Sequence, residues 1–238
     1  RVEPPRRRRA RREVWTVDEL ARFLTCPAVR ASPYYPLWLV ALGSGCRPGE
    51  LLALRWGDID WERGLLRVRR AGQHVRGQWV ETEGKTPAAR RDVALPSVAR
   101  DALRAQRQRV AEQRLRAGAA WQDHDLVFPA LGPTGDGRPL QLATANRALG
   151  EACARAGVPR LAMHGFRHLH GSLLLDAGAP LAVVSLRLGH RHPGITAAIY
   201  THAVRGDGAV VVLNRVLGGA GGTPMPSAGA PEDNAALP

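Results

Sequence analysis

Four short segments carry residue types that could break a phosphate ester. They span residues 45–50, 84–87, 164–168 and 188–200, and each holds an arginine, lysine, histidine or tyrosine beside glycine or proline. In the third segment His164 and Arg167 are three residues apart, a spacing that places both on one side of a helix. The segments therefore predict a site where an imidazole and a guanidinium converge.

Cleavage of a phosphodiester without a metal ion needs a clamp for charge and a nucleophile. Negative charge grows on the non-bridging oxygens in the transition state, and the planar fork of arginine matches phosphate geometry. Arg47 and Arg167 are the candidates for this clamp. A tyrosine hydroxyl suits the nucleophile because a phosphotyrosyl ester stores the bond energy for rejoining. Tyr200, one of 3 tyrosines, is the candidate.

The same reaction needs a group that protonates the departing 5′ oxygen. Lys85 is the only lysine among 34 lysine and arginine residues, so every other one is arginine. An ammonium gives up its proton at accessible pH, whereas a guanidinium does not. Lys85 therefore fits the acid. His164 and His190 fit either the handling of the tyrosine proton or a hydrogen bond to a phosphate oxygen.

Helices and one small sheet must position these residues. Thr16 and Glu19 form a capping-box pattern at the start of a helix. A second helix is predicted over residues 36–42 and a third begins at Pro48. A long helix, capped by Ser97, extends to about residue 117. Further helices are predicted near residues 142–156, 166–177, 181–188 and 195–204. Alternation between residues 65 and 95 predicts a three-stranded antiparallel sheet with turns at 71–72 and 84–87. The fold class is therefore α+β and mostly helical.

The composition excludes several classes of protein. The chain has 238 residues, enough to bury a core, and no apolar run approaches the ~20 residues that span a bilayer, so we expect no membrane contact. Cys26, Cys46 and Cys153 are too widely spaced for a disulfide framework or a zinc knuckle. The net charge of +13 predicts a polyanionic partner.

Together the four segments resemble the tyrosine recombinases, or phage integrases. The matching stretches are GSGCRPGELLALRWGDID, ETEGKTPAARRDVALP and HGFRHLHGSLLLDAGAPLAVVSLRLGHRHPGITAAIYTHAV, within residues 15 to about 205. The resemblance implies six catalytic residues, with the tyrosine as nucleophile: Arg47, Lys85, His164, Arg167, His190 and Tyr200. It also implies that Glu50 orients Arg47. Gly165 stands where many members carry an acidic or polar residue, and this departure changes none of the six catalytic positions.

The resemblance further implies an activity and its partners. Members of this family have a mostly α-helical catalytic domain with a small sheet, and they cut double-stranded DNA without a metal or cofactor. They form a 3′-phosphotyrosyl link and exchange strands within a homotetramer, in some cases with accessory DNA-bending or directionality proteins. We accordingly expect a cytoplasmic, nucleoid-associated protein. The apolar segment 209–213 resembles the tail that members pack on a neighbouring subunit, and packing on its own core is the alternative.

Composition divides the chain into three parts. Residues 1–14 are a basic linker, 15–217 the catalytic domain and 218–238 a tail too poor in apolar residues to order itself. Family members usually carry a separate core-binding domain ahead of the catalytic domain. We therefore expect the chain to lack that domain, as a catalytic domain, a truncated product or a remnant.

Three other functions compete with this interpretation. Six histidines between residues 164 and 202 suggest zinc hydrolysis, but Gly165 stands where a metalloprotease needs glutamate. A non-catalytic DNA-binding remnant would keep the fold without the reaction. Relaxation of supercoils, as in the type IB topoisomerases, uses the same chemistry, although the His-x-x-Arg and Gly-His spacing fits recombinases better.

The predicted helix that begins at Ser97 is rich in arginine. For this helix, a face exposed to solvent is favoured over one that reads a DNA groove.

Overall fold

The structure is a computed structural model that describes residues 14–84, 90–131 and 135–189. Within these ranges the helices are α1 (Val17–Thr25), α2 (Pro27–Arg30), α3 (Tyr35–Ser44), α4 (Pro48–Leu52), α5 (Ser97–Ala117), α6 (Leu142–Ala156), α7 (Met163–Asp176) and α8 (Leu181–Leu188). The strands are β1 (Ile59–Asp60), β2 (Leu65–Val68), β3 (Arg70–Val75), β4 (Gln78–Glu83) and β5 (Arg91–Ala94). The predicted α+β class with mostly helical content is confirmed.

The predicted capping box begins α1. The Thr16 hydroxyl accepts a hydrogen bond from the Glu19 backbone N–H at 3.2 Å, and the Glu19 carboxylate accepts one from the Thr16 N–H at 2.7 Å. On the buried face of α1, the ring of Phe23 lies 5.4 Å from that of Trp38 on α3 and 6.1 Å from that of Phe166 on α7. These aromatic contacts attach α1 to the two helices that lead to the site.

The central element is α3, which is buried from Pro36 to Ser44 and packs against α5 and α7. It is apolar on all sides, as a helix enclosed by others must be. It ends at Gly45, whose φ of +64° is a left-handed conformation that glycine adopts without a steric penalty. Arg47 follows two residues later, so the end of the buried helix α3 determines the position of Arg47.

The β-structure forms two units. The three-stranded antiparallel sheet has the order β1-β2-β5, and β3 and β4 form a separate hairpin. The turn predicted at residues 71–72 is wrong, because both residues lie inside β3. Gly72 instead lies under the Trp79 indole, where a Cβ would overlap the ring. The hairpin turns at Arg76 and Gly77, with φ of 50° and 82°, a pairing typical of tight β-hairpins.

Several predicted helix boundaries move by a few residues. Pro96, not Ser97, occupies the N-cap position of α5, and no side chain caps that end. The helix predicted to begin at residue 166 begins at Met163, because a side chain from α6 caps its backbone there. Helix α8 has the predicted bounds of 181–188 and ends at Gly189, whose φ is +67°.

Some predictions fall on residues outside the described ranges. These are residues 1–13 of the basic linker, the helix at 195–204, the segment 209–213 and the tail from 218. They stay predictions.

Candidate active site

Arg47 occupies the N-cap of α4 and is held by the first turn of that helix. Its Nη1 donates to Oε1 of Glu50 at 2.9 Å and its backbone N–H to Oε2 at 2.7 Å. Its Nη2 donates to the carbonyl oxygen of Gly189 at 3.0 Å. The side chain is nevertheless 41% exposed. The guanidinium therefore reaches solvent in a fixed orientation.

Arg167, by contrast, is buried. Its Nη1 donates to the Gly45 carbonyl at 2.9 Å and its Nη2 to the Leu188 carbonyl at 2.5 Å. Two acceptors on different guanidinium nitrogens restrict both the position and the rotation of the group. Arg167 thus joins the residues just before Arg47 to the end of α8.

His164 lies three residues before Arg167 in the first turn of α7. That turn is held by Asn146 of α6, whose Oδ1 accepts the Met163 backbone N–H at 2.8 Å. Ala162 at the N-cap offers no side-chain acceptor, so Asn146 takes over that role. The half-buried His164 ring meets that of His168 edge-on, with 4.8 Å between centroids. His164 and Arg167 are therefore on one helical turn, as their spacing predicted.

The C-terminal end of α8 organises the arginines. Carbonyls at a helix C-terminus lack partners within the helix and carry the negative end of its dipole. Three consecutive carbonyls there each accept from a different arginine: Arg187 O from Arg91 Nε at 2.8 Å, Leu188 O from Arg167, and Gly189 O from Arg47. One helix end thus brings both predicted clamp arginines together, directly before His190 in the chain.

Glu50 is enclosed by two arginines. Beyond its bonds with Arg47, it accepts from Arg91 Nη1 at 3.0 Å on Oε1 and from Arg91 Nη2 at 2.8 Å on Oε2. Burial by itself would raise the pKa of this carboxyl, but the hydrogen bonds and charge of Arg91, and then of Arg47, hold the pKa below its usual value. Glu50 is therefore an anion that fixes Arg47, in agreement with the orienting role expected of it.

Sequence reasoning missed Arg91, Arg187 and His170. His170 is buried, unlike the half-buried His164 and His168 of the same helix. Its Nδ1 lies 2.6 Å from the Leu42 carbonyl, and Arg187 Nε donates to its Nε2 at 2.9 Å. The available signal was spacing, since residues 167 and 170 share a helical face. Nothing distinguished Arg91 and Arg187 in so arginine-rich a chain.

Lys85, His190 and Tyr200 lie outside the described residues, although their neighbours are placed. Two residues before Lys85, β4 ends at Glu83, and the Gly84 N–H donates to the Arg69 carbonyl at 2.9 Å. After Lys85, β5 begins at Arg91, which bonds Glu50. The strand that follows the lysine turn therefore begins in contact with the residue that holds Arg47.

Three arginines of α5 form ion pairs with nearby carboxylates of the same chain. Exposed ion pairs join Arg104 to Asp101, Arg114 to Asp123 and Arg116 to Glu112, at 2.6, 3.0 and 3.7 Å. Exposed pairs of this kind contribute little stability. These arginine side chains are exposed to solvent, and the preference for a solvated face over reading of a DNA groove stays a prediction.

The described ranges contain neither a metal-binding cluster nor a membrane-spanning helix. No three His, Cys, Asp or Glu side chains in residues 14–84, 90–131 and 135–189 are placed to hold a metal ion. Within the same ranges, no helix is both long and apolar enough to cross a membrane.

Solved structures of tyrosine recombinases share this fold. The Tn1549 transposon integrase, in complex with transposon right-end DNA, superimposes with a TM-score of 0.67 at 20% identity, over 85% of this chain and 65% of that one. The XerA recombinase gives a TM-score of 0.62 at 23% identity, over 90% of this chain and 66% of its own. The architecture is that of tyrosine recombinase catalytic domains.

The chain belongs to the phage integrase family, whose model matches residues 13–205. A XerC-like tyrosine recombinase of Caldanaerobacter subterraneus is 38% identical over 193 residues, covering 75% of this chain and 48% of the relative. An integrase of Streptomyces ambofaciens is 30% identical over 184 residues, covering 73% of this chain and 46% of the relative. The chain thus spans about half the length of these relatives.

Proposed function

We propose that this protein cleaves and rejoins DNA strands at specific sites through a 3′-phosphotyrosyl intermediate. The observation that carries the proposal is the convergence of Arg47 and Arg167 on the end of α8, in a chain of the phage integrase family. Both guanidiniums are held before any substrate arrives, so little reorganisation is needed as charge develops on a phosphate.

The two arginines divide the work of holding a phosphate. Arg47 is partly exposed and offers its guanidinium to the non-bridging oxygens, while Arg167 is buried and supplies fixed positive charge behind it. The net charge of +13 adds the general attraction for a polyanion that double-stranded DNA requires. These roles account for one exposed and one buried arginine in a single cluster.

Three residues outside the described ranges complete the reaction as we propose it. The Tyr200 hydroxyl attacks phosphorus, the bond from phosphorus to the 5′ oxygen breaks, and Lys85 gives that oxygen its proton. His164 or His190 takes the tyrosine proton or donates to a phosphate oxygen. Rejoining reverses these steps, with a 5′-hydroxyl attacking the phosphotyrosine. The reaction as written needs no metal or cofactor.

The wider assembly is also a proposal. Residues 15–217 form the catalytic domain between a basic linker at 1–14 and a tail at 218–238. Strand exchange between two duplexes requires four active sites, so the synaptic complex is a homotetramer, with accessory DNA-bending or directionality proteins where a reaction has one direction. The protein then acts in the cytoplasm at the nucleoid, where its DNA lies.

A trapping experiment tests this function. The chain is incubated in EDTA with a library of nicked duplexes, whose cleavage releases a short fragment and prevents rejoining. We expect DNA–protein adducts that resist SDS, and sequencing of the trapped DNA gives the target site. Folded protein that binds DNA but forms no adduct would contradict the proposal and favour a non-catalytic remnant. A protein that forms adducts and relaxes supercoiled DNA, but does not exchange strands between duplexes, would be a topoisomerase and not a recombinase.

A further inference from the structure

We propose that Arg91 is a positioning residue for the phosphate clamp and that it acts through Glu50 on Arg47. This inference rests on the proposed function. Arg91 has no role in the six-residue catalytic set, and it lies at the first position of β5, on a different element from the arginine it controls.

The hydrogen bonds of Glu50 are shared equally between two arginines. Each carboxylate oxygen accepts one bond from Arg91 and one from Arg47: Oε1 from the two Nη1 groups, Oε2 from Arg91 Nη2 and the Arg47 backbone N–H. The side chains of Arg91 and Glu50 are only 8% and 6% exposed. Water therefore cannot replace Arg91 without the cluster opening.

Removal of Arg91 would change what Glu50 does for Arg47. A buried carboxylate that loses its main partner takes up a proton more readily, because isolated charge is costly away from water. A protonated carboxyl carries a donor on one oxygen and a weaker acceptor on the other. It therefore cannot hold the Arg47 backbone and guanidinium together as the carboxylate does.

The groups that face Glu50 come from three places. Arg91 approaches from β5, Arg47 from the N-cap of α4, and the buried Cys46 thiol from the segment between α3 and α4. Burial raises the pKa of Cys46, so this neighbour is an uncharged thiol. With Arg91 removed, Arg47 is the remaining positive charge among these groups.

Arg91 also connects the segments that carry the predicted catalytic residues. Its Nε donates to the Arg187 carbonyl at the end of α8, next to the carbonyls that hold Arg167 and Arg47. Arg91 lies six residues after Lys85 in the chain, and its backbone pairs with Val68 in the sheet. One side chain thus links the strand after the lysine turn, the α4 N-terminus and the end of α8.

The test compares Arg91→Ala and Arg91→Lys with a matched control, Arg69→Ala. Arg69 lies beside the same sheet and pairs with Asp92, but both side chains are substantially exposed. The first readout is a carbon-13 NMR titration of the Glu50 carboxyl in the full chain, assigned with Glu50→Gln. We expect the pKa of Glu50 to rise in Arg91→Lys and to rise further in Arg91→Ala. Arg69→Ala leaves the Glu50 titration unchanged.

The second readout is the rate of adduct formation on the trapped duplexes as a function of pH. We expect Arg91→Ala to slow cleavage about tenfold at low pH and the deficit to shrink as rising pH ionises Glu50, with DNA binding changed less than about twofold. Arg91→Lys, which keeps the charge, shows a smaller deficit with the same pH trend. A purely structural defect would lower the rate equally at every pH.

Failure of this inference is distinguishable from failure of the proposed function. An unchanged Glu50 titration in Arg91→Ala, or a deficit independent of pH, would overturn the role of Arg91 even if the wild type cleaves DNA. A wild type that forms no adduct would contradict the proposed function, and the titration would still decide whether Arg91 holds Glu50 ionised.

Discussion

Arg187 donates from Nε to Nε2 of His170 at 2.9 Å, and this bond fixes the imidazole as neutral. An arginine has only donors, so Nε2 must be the acceptor and Nδ1 must carry the proton that faces the Leu42 carbonyl. Arg187 Nη2 also donates to the Gly43 and Ala94 carbonyls at 3.0 and 2.7 Å. The pair therefore ties α8 to α3, α7 and β5 just before the carbonyls that hold the clamp.

The neutral His170 gives the fold a particular dependence on pH. Burial first, and then the charge of Arg187, lower the pKa of His170 from 6.5 to about 3. Below pH 6.5 the unfolded chain takes up a proton that the native protein refuses, so stability falls as the pH drops toward 3. The loss is at most about 1.4 kcal/mol per pH unit. We expect urea unfolding of His170→Gln to lack this component.

The control for that experiment is His124→Gln, since His124 is exposed. It should retain the pH dependence of the wild type. If His170→Gln and the wild type lose stability in parallel between neutral pH and about pH 5, the imidazole is not held neutral as described.

Gly45 is a second point where the site tolerates little change. Its φ is +64°, and a Cβ there would lie 2.5 Å from His170 Cδ2 and 2.9 Å from Leu188 Cδ2. Gly45→Ala therefore combines backbone strain with displacement of the residues around Arg167. We expect a loss of roughly 2–4 kcal/mol in the free energy of unfolding, measured by urea denaturation.

Two other glycines separate these causes. Gly77 has φ of +82°, and a Cβ there would meet no atom within 4 Å, so Gly77→Ala measures strain alone, about 1 kcal/mol. Gly57 has neither constraint, and Gly57→Ala should be within about 0.5 kcal/mol of wild type. A Gly45→Ala cost no greater than that of Gly77→Ala would mean that the His170 contact yields easily.

Local patterns predicted the helices well because their signals lie within a few residues. The Thr16 and Glu19 capping box depends on neighbours in the chain, and the helix predicted over residues 181–188 is observed with those bounds. The turn at 71–72 failed because Gly72 is needed for the close approach of Trp79, a residue on the partner strand. A glycine in a sequence indicates freedom of the backbone. Whether that glycine is needed for a turn or for a close contact is visible only when the two strands are paired.

The site was only partly predictable, because most of its contacts join residues that are distant in the chain. Arg47 and Arg167 are far apart in the chain, yet a common acceptor helix brings them together, and the motif order indicated this only through resemblance. Each of the supporting residues Arg91, Arg187 and His170 also contacts a backbone carbonyl from a distant part of the chain. Carbonyls are present at every residue, so no sequence pattern identifies which ones accept.

The role of Lys85 as the acid is testable by changing the leaving group. We expect Lys85→Ala to slow cleavage of an ordinary duplex by roughly 10²–10⁴-fold. A duplex with a bridging 5′-phosphorothiolate should restore the rate, because sulfur leaves without a proton. Arg47→Ala is the control, since loss of the clamp affects both substrates. Equal defects of Lys85→Ala on the two substrates would remove the assigned role.

The most direct measurement maps the peptide that carries trapped DNA. The chain has 3 tyrosines, and two of them, Tyr34 and Tyr35, lie half-buried at the start of α3, where the Tyr35 hydroxyl donates to the Leu24 carbonyl at 3.3 Å. Digestion and mass spectrometry of adducts formed in EDTA should place the nucleotide on Tyr200. Tyr200→Phe should abolish the adduct with DNA binding retained, and Tyr34→Phe should leave the yield unchanged. An adduct on Tyr34 or Tyr35, or an undiminished yield from Tyr200→Phe, would contradict the account.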